Sequence, residues 1–142
     1  MTLTVALAML ERDGRWLLQL RDDIEGIIHP GCWGLFGGHL DPGERPGQAI
    51  CRELREEIGW EAEGLPLWFE HHEARLTVHY FRAPLTVPLD DLQLNEGQDM
   101  VLAGLDELRS GLVWSPRLRE RRALAPTLER AVRRLGGETG NH

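Results

Sequence analysis

The chain has few cysteines, no apolar run long enough to cross a bilayer and no excess of positive charge. Its 142 residues include two cysteines, Cys32 and Cys51, and its formal net charge is −7. With neither a bilayer-length apolar run nor a basic leader followed by an apolar one, we expect neither a membrane protein nor a secreted protein. Two cysteines predict unpaired thiols and a cytoplasmic location. The acidic balance disfavours nucleic-acid polymers and anionic membranes as partners.

Length and composition suit one globular domain. Hydrophobic residues make up 42% of the chain, which is enough to build a core at this size. We find no internal repeat and no change of composition that would mark a second domain. The sequence therefore predicts a single domain over residues 1–136, followed by a disordered tail over residues 137–142.

A glycine-rich loop followed by one helix is the most informative stretch of the chain. Pro46 suits the first turn of a helix, where its missing N–H costs nothing. Gly59 suits the position just past the end, where a left-handed conformation closes the helix. These two signals predict a helix from Pro46 to Ile58. Its predicted core-facing residues are Ile50, Cys51, Leu54 and Ile58.

Three glutamates share the neighbouring face of that helix. Glu53, Glu56 and Glu57 stand at positions i, i+3 and i+4, so their like charges repel one another. One interpretation is a solvated face screened by Arg52 and Arg55, which is the commoner meaning of a bare pattern of this kind. The other is a site for Mg²⁺ or Mn²⁺, hard ions that take carboxylate and water oxygens and bridge to phosphate.

The spacing around these glutamates resembles the Nudix box. That signature is G-x5-E-x7-R-E-U-x-E-E-x-G-U, where U is a bulky apolar residue, and the chain meets every specified position between Gly38 and Trp60. The chain is therefore identified as a member of the Nudix family. The resemblance implies an α+β fold, an α/β/α sandwich with a mixed β-sheet between helices. Periodicity alone would leave other α+β folds open.

The resemblance also implies a role for each box residue. Glu53, Glu56 and Glu57 would hold Mg²⁺ or Mn²⁺, and Arg52 would orient these glutamates as a catalytic partner behind the metal ligands. Glu44 would support the loop or an outer water, and Gly38 would let the loop approach the ion.

Four residues are predicted to contact the substrate. The glycine pair Gly37 and Gly38 lets backbone N–H groups approach a ligand closely. Phe36 stands where the family often has proline and would bring an aromatic ring near the site. Arg21, at the end of a predicted strand, could bind a phosphate in bidentate fashion, although an exposed strand-end charge is the alternative.

A second carboxylate is predicted outside the box. The triplet Glu96-Gly97-Gln98 resembles a loop that supplies an extra carboxylate in some Nudix enzymes. Glu96 is the first candidate and Asp99 the second, whereas an ordinary exposed loop is the alternative. Glu53 and Glu96 therefore compete for the role of general base.

The rest of the chain reads as alternating short elements. Strands are predicted over residues 3–10, 15–21, 33–36, 67–70, 75–81 and 100–103, with His71 and His72 interrupting the hairpin, a loop over 22–32 and a turn over 105–108. Residues 116–135 are predicted to be largely helical, restarting at Pro126. Four aromatic residues stay open as platforms for a nucleobase: Trp33, Trp68, Tyr80 and Phe81.

The implied reaction is metal-dependent hydrolysis of a nucleoside diphosphate linked to a group X. The first-ranked substrate is a nucleoside triphosphate, including oxidised ones, cleaved to the monophosphate and pyrophosphate. ADP-ribose, other nucleotide sugars and dinucleoside polyphosphates stay open. A nucleotide-binding regulator without catalysis is the alternative of another class. Family habit also implies a homodimer.

Overall fold

The computed structural model describes residues 2–24 and 29–139. The chain divides into two compact units: unit one comprises Met1–Glu11 and Phe36–Asn95, and unit two comprises Arg12–Leu35 and Glu96–His142. The strands and helices are β1 Leu3–Arg12, β2 Arg15–Leu20, β3 Trp33–Gly34, β4 Phe36–His39, α1 Pro46–Ile58, β5 Leu67–Glu73, β6 Leu76–Pro84, β7 Asp99–Gly104, α2 Leu105–Ser110, β8 Leu112–Ser115, β9 Glu120–Ala123 and α3 Pro126–Thr139.

Unit one contains a mixed sheet with β1 near its centre. β1 pairs parallel with β6 and antiparallel with β4, while β6 pairs antiparallel with β5. Residues Ala6–Leu10 of β1 are all buried, as expected for a strand covered on both faces. The pairing of Ala6 with Gly38 brings the start of the box onto this sheet.

Helix α1 begins and ends where the sequence predicts. Pro46 occupies the first helical position, and the Gln48 side chain accepts a hydrogen bond from the Arg45 N–H at 2.9 Å. Gly59 adopts the left-handed conformation, with φ 69°, and closes the helix. The fully buried side chains are Ala49, Ile50, Leu54 and Ile58, whereas Cys51 is only half-buried.

Unit two is built on β2, which pairs antiparallel with β7 along its whole length and with β3 through Gln19 and Leu20. The Trp33 indole is buried and donates to the carbonyl of Val113 at 2.9 Å. Helix α3 buries one stripe, as expected for a helix that covers a core. The stripe comprises Leu128, Ala131, Val132 and Leu135.

The helix predicted to begin at Pro116 is wrong over residues 116–125. This segment instead completes an antiparallel ribbon of β8 and β9, in which Ser115 pairs with Glu120. Arg119 has a positive φ of 56°, and its N–H bonds the Ser115 carbonyl at 2.8 Å, so the chain reverses there. Helix α3 starts at Pro126, as predicted.

Smaller differences follow from pairing that the sequence does not reveal. β5 runs without interruption through His71 and His72, because both residues are paired with β6. The turn predicted over residues 105–108 is the start of helix α2. Of the predicted tail, residues 140–142 lie outside the described residues, and α3 continues through Thr139. Residues 25–28 of the predicted loop also lie outside them.

In the part of the chain that the structure describes, no helix is both long and apolar enough to cross a membrane.

Candidate active site

Arg52 on α1 forms a bidentate ion pair with Glu44. Its Nε donates to Glu44 Oε2 at 2.8 Å and its Nη2 to Oε1 at 3.0 Å. Glu44 Oε1 also accepts from the Asp41 N–H at 2.9 Å. Hydrogen bonds from Arg52 and then from Asp41 lower the pKa of Glu44 to about 2, while the pKa of Arg52 is raised, chiefly by Glu44. The two groups are therefore fully charged at neutral pH.

The same guanidinium also contacts two of the three helix glutamates. Its Nη1 donates to Glu53 Oε1 at 3.0 Å and to Glu56 Oε2 at 3.2 Å. Nη2 donates in addition to the backbone carbonyl of His39 at 3.1 Å, which ties α1 to the end of β4. Arg52 thus bridges the Glu44 loop, β4 and the acidic face of α1. This arrangement, which we call the Arg52 network, comprises Glu44, Arg52, Glu53 and Glu56.

The third glutamate is buried and bonded to the backbone of β4. Glu57 is 5% exposed, and its Oε2 accepts from the Gly37 N–H at 2.9 Å. Burying a carboxylate costs free energy unless hydrogen-bond donors surround it, and the Gly37 N–H is one such donor to Glu57. Gly37 has φ +142°, and a Cβ there would overlap the carbonyl oxygen of Ala6. Only glycine fits this position.

Gly38 makes room for the carboxylate of Glu53. A Cβ on Gly38 would lie 2.7 Å from Glu53 Oε1 and 2.8 Å from its Cδ, closer than real side chains approach. The glycine pair therefore receives two helix glutamates in this structure, Glu57 at Gly37 and Glu53 at Gly38. The sequence predicted both glycines at the substrate and Gly38 also beside the metal ligands, whereas the bond from the Gly37 N–H to Glu57 was not predicted.

The chemistry of this donor set fits a hard divalent cation. Glu53, Glu56 and Glu57 supply only oxygen ligands, and the gap over Gly38 accommodates one of these carboxylates. Among the described residues, however, no three Asp, Glu, His or Cys side chains converge closely enough to hold a metal ion. Because Arg52 bonds both Glu53 and Glu56, an entering ion would compete with the guanidinium for these carboxylates.

A segment that sequence reasoning missed closes the end of α1. The Asn95 side chain donates to the Glu56 carbonyl at 3.0 Å, and the Asn95 N–H donates to the Glu57 carbonyl at 2.9 Å. The Gln93 N–H donates to the Ile58 carbonyl at 3.0 Å. These bonds satisfy carbonyl groups that every helix leaves free at its C-terminus. They hold the turn of the helix that carries Glu56 and Glu57.

The two remaining polar candidates, Arg21 and Glu96, belong to unit two. The aliphatic part of Arg21 packs on Gly34, with its Cδ 3.6 Å from where a Cβ would stand. Glu96 is exposed, and its backbone carbonyl accepts from Gln19 Nε2 at 2.9 Å. The second-ranked carboxylate, Asp99, is 3% exposed and accepts from the Ser115 hydroxyl at 2.6 Å, so it supports the β8–β9 turn. We therefore discard Asp99 as a candidate base.

Most of the candidate aromatic rings lie in the core. Phe36 is 1% exposed, Trp33 and Tyr80 are fully buried and Phe81 is 5% exposed. The expectation of a ring at the site is thus corrected for Phe36, because a ring packed on all sides has no free face for a substrate. Trp68 is half-buried, with the Arg82 guanidinium 5.0 Å from its ring centroid.

A shallow cavity of about 360 Å³ lies beside Trp68 in unit one. It contains none of the residues of the box. Its lining residues are Glu11, Pro66, Leu67, Trp68, Arg82, Ala83 and Pro84.

Comparisons with known proteins agree with this geometry. A family model described as the NUDIX domain matches residues 1–120. The nucleoside triphosphatase NudI of Escherichia coli O1:K1 is 43% identical over 56 residues, which is 39% of this chain and 39% of that relative. The match thus spans well under half the length of these curated relatives.

Solved structures share the fold at lower identity. The MutT NUDIX hydrolase from Burkholderia pseudomallei superposes with a TM-score of 0.71 at 23% identity, covering 94% of this chain and 97% of that one. The NUDIX domain of Shewanella oneidensis NrtR, solved with ADP ribose, gives a TM-score of 0.70 at 18% identity, covering 98% and 89%. The predicted α+β class, a mixed sheet with helices, is confirmed. The family match over residues 1–120 shows that the chain belongs to the Nudix hydrolase family.

Proposed function

We propose that this protein hydrolyses the phosphoanhydride of a nucleoside diphosphate linked to X. The preferred substrate is a nucleoside triphosphate, including oxidised ones, which yields the nucleoside monophosphate and pyrophosphate. The observation that carries the proposal is the Arg52 network, in which one guanidinium bonds Glu44, Glu53 and Glu56. The NudI relative, named a nucleoside triphosphatase, supports the choice of substrate.

The reaction needs charge neutralisation and a nucleophile. A phosphoanhydride is inert because its negative oxygens repel an incoming nucleophile. Mg²⁺ or Mn²⁺ held by Glu53, Glu56 and Glu57 would neutralise these oxygens and lower the pKa of a bound water.

The chain's own residues supply orientation and proton transfer. Arg52, fixed by Glu44, orients Glu53 and Glu56, and the Gly37 N–H orients Glu57. Arg21 binds a phosphate group of the substrate. The proton of the attacking water passes to a carboxylate, either Glu53 or Glu96, as general base.

Two alternatives to triphosphate hydrolysis stay open: hydrolysis of another nucleotide substrate, and nucleotide binding without catalysis. ADP-ribose, nucleotide sugars and dinucleoside polyphosphates contain the same bond, and the NrtR domain was solved with ADP ribose. A regulator that binds nucleotides without turnover would also need the fold. It would not need all three glutamates, which this chain keeps.

A substrate panel tests the proposal. The purified protein is incubated with triphosphates, oxidised triphosphates, ADP-ribose, a nucleotide sugar and a dinucleoside polyphosphate, with Mg²⁺ or Mn²⁺ and then with a chelator. We expect monophosphate and pyrophosphate from a triphosphate only while metal is present. Binding without turnover across the panel would overturn the proposal and favour the regulator.

Two further predictions concern the protein in the cell. The cytoplasmic location rests on the unpaired cysteines, Cys32 and Cys51, both of which are free thiols here. The homodimer rests on family habit alone, and sedimentation analysis of the purified protein checks it.

A further inference from the structure

A buried glutamine interrupts the apolar run of β2. Its neighbours Leu17, Leu18 and Leu20 are buried core residues, yet Gln19 is also only 4% exposed. Its Nε2 donates to the backbone carbonyl of Glu96 at 2.9 Å, a contact across 77 positions of sequence. A buried amide is retained at a cost unless its hydrogen bonds are made, so this bond fixes the glutamine and the carbonyl together.

The residue after Glu96 lies directly against the same side chain. Gly97 has φ +104°, and a Cβ there would stand 2.8 Å from the Leu20 carbonyl oxygen and 2.9 Å from Gln19 Cγ. No residue other than glycine fits this approach. The backbone at Gly97 is therefore held at van der Waals distance from β2.

A second glutamine completes the attachment. The Gln98 N–H donates to the Leu20 carbonyl at 2.8 Å, and Gln98 Nε2 donates to the Arg21 carbonyl at 2.9 Å. We call residues 96–98 the Glu96 loop. This loop is hydrogen-bonded to Gln19 and Leu20 at the end of β2 and to Arg21 just after it. The candidate base Glu96 and the candidate phosphate ligand Arg21 lie on backbone that these two glutamines hold together.

We propose that Gln19 is a positioning residue that acts through Glu96, with Gln98 as its partner at Arg21. This inference rests on the proposed function and assigns to Glu96 the role of general base. In that step the water proton moves to the Glu96 carboxylate, the water oxygen bonds to phosphorus, and the P–O bond of the α–β bridge breaks, leaving its electron pair on the departing pyrophosphate or nucleoside monophosphate. Both glutamines are neutral, so they hold the backbone that carries Glu96 without changing the local charge.

The first test needs no metal and no substrate. Gln19→Met removes the donor and keeps the length of the side chain. We expect the Gln98 amide to exchange with deuterium about fivefold faster in the metal-free variant than in the wild type, because the loop loses an attachment. Leu17→Val, a buried change on the same strand, is the matched control and should leave this amide protected. Unchanged protection in Gln19→Met would overturn the inference.

The second test is a double-mutant cycle on kcat. We expect Glu96→Gln to lower kcat about 100-fold and Gln19→Met about tenfold, since a small displacement of a base is costly. If Gln19 acts through Glu96, adding Gln19→Met to Glu96→Gln should change kcat by less than about twofold. An equal loss in both backgrounds would show a merely structural role and overturn the inference.

The two proposals can fail separately. If Glu96→Gln keeps the wild-type kcat, the positioning inference is overturned, because there is no base for Gln19 to position. The proposed function would still stand if Glu53→Gln and Glu57→Gln abolish metal-dependent turnover in the same assay. If every one of these variants keeps the wild-type kcat, both proposals are overturned.

Discussion

Two polar regions of the molecule are each stabilised by a different kind of hydrogen bond. The Arg52 network is held by charge: one guanidinium bonds three carboxylates. The Glu96 loop is held by neutral amides, from Gln19 and Gln98 to backbone carbonyls. Ion pairs respond to an entering cation and to pH, whereas hydrogen bonds donated by neutral side-chain amides do not. An entering cation would therefore compete with Arg52 in the first region, whereas it would not displace the amides that hold the second.

The largest expected effect comes from a change in the charged region. Glu57→Gln keeps the size of the side chain and an oxygen that can accept from the Gly37 N–H, but it removes one negative charge from the proposed metal site. Because a bound metal supplies several kcal/mol of transition-state stabilisation, we expect Mg²⁺-dependent turnover to fall about 10²–10³-fold. The exposed glutamate just beyond the helix gives the matched control, Glu61→Gln, which should be neutral. Turnover equal to wild type in Glu57→Gln would mean that the acidic face is only a wet surface.

A second change tests the fit between the loop and the helix. In Gly38→Ala the new Cβ would stand 2.7 Å from Glu53 Oε1, so the carboxylate must move. We expect the Mg²⁺ concentration for half-maximal activity to rise about 10–100-fold, as for other changes that disturb ligand orientation. Gly47→Ala is the control, because a Cβ there meets nothing within 4 Å. An unchanged metal requirement in Gly38→Ala would contradict the placement of Glu53.

The smallest effect concerns acid stability. The pKa of Glu44 is about 2 in the folded chain against an ordinary value of 4.5, so its ion pair contributes stability that is complete above pH 4.5 and is lost as the pH falls towards 2. Glu44→Gln should therefore melt below the wild type at neutral pH, and the difference should shrink between pH 4.5 and 2. Melting curves across this range check the prediction. A constant difference at every pH would argue against the Arg52–Glu44 pair as its source.

Signals within the segment itself predicted helix α1, whereas contacts between residues distant in sequence could not be predicted. Pro46 and Gly59 mark the ends of α1 within the segment itself, which is why its bounds could be predicted. The helix predicted over residues 116–125 is instead the β8–β9 turn and strand β9, because this turn depends on the hydroxyl of Ser115 bonding Asp99, sixteen positions earlier. No local pattern contains that contact.

The same limit applies to the candidate site. The box spacing alone identified Glu44, Arg52 and the three helix glutamates as a group, and the structure joins four of these residues in the Arg52 network. The contact between Gln19 and the Glu96 carbonyl was missed, since the two residues lie 77 positions apart. One signal was available, a single amide side chain within the apolar run of β2. Interior polar residues of this kind merit inspection whenever a strand is otherwise apolar.

The most direct measurement is a Mn²⁺ titration of the wild type and of the Glu53→Gln/Glu57→Gln double variant. Electron paramagnetic resonance monitors the equilibrium binding. Both are measured with a non-hydrolysable triphosphate analogue, and the Mn²⁺ bound by the analogue alone is subtracted. We predict that the wild type binds Mn²⁺ and that the folded double variant binds it at least about 100-fold more weakly. Equal binding by the two proteins would contradict the assignment of the acidic face of α1 as the metal site.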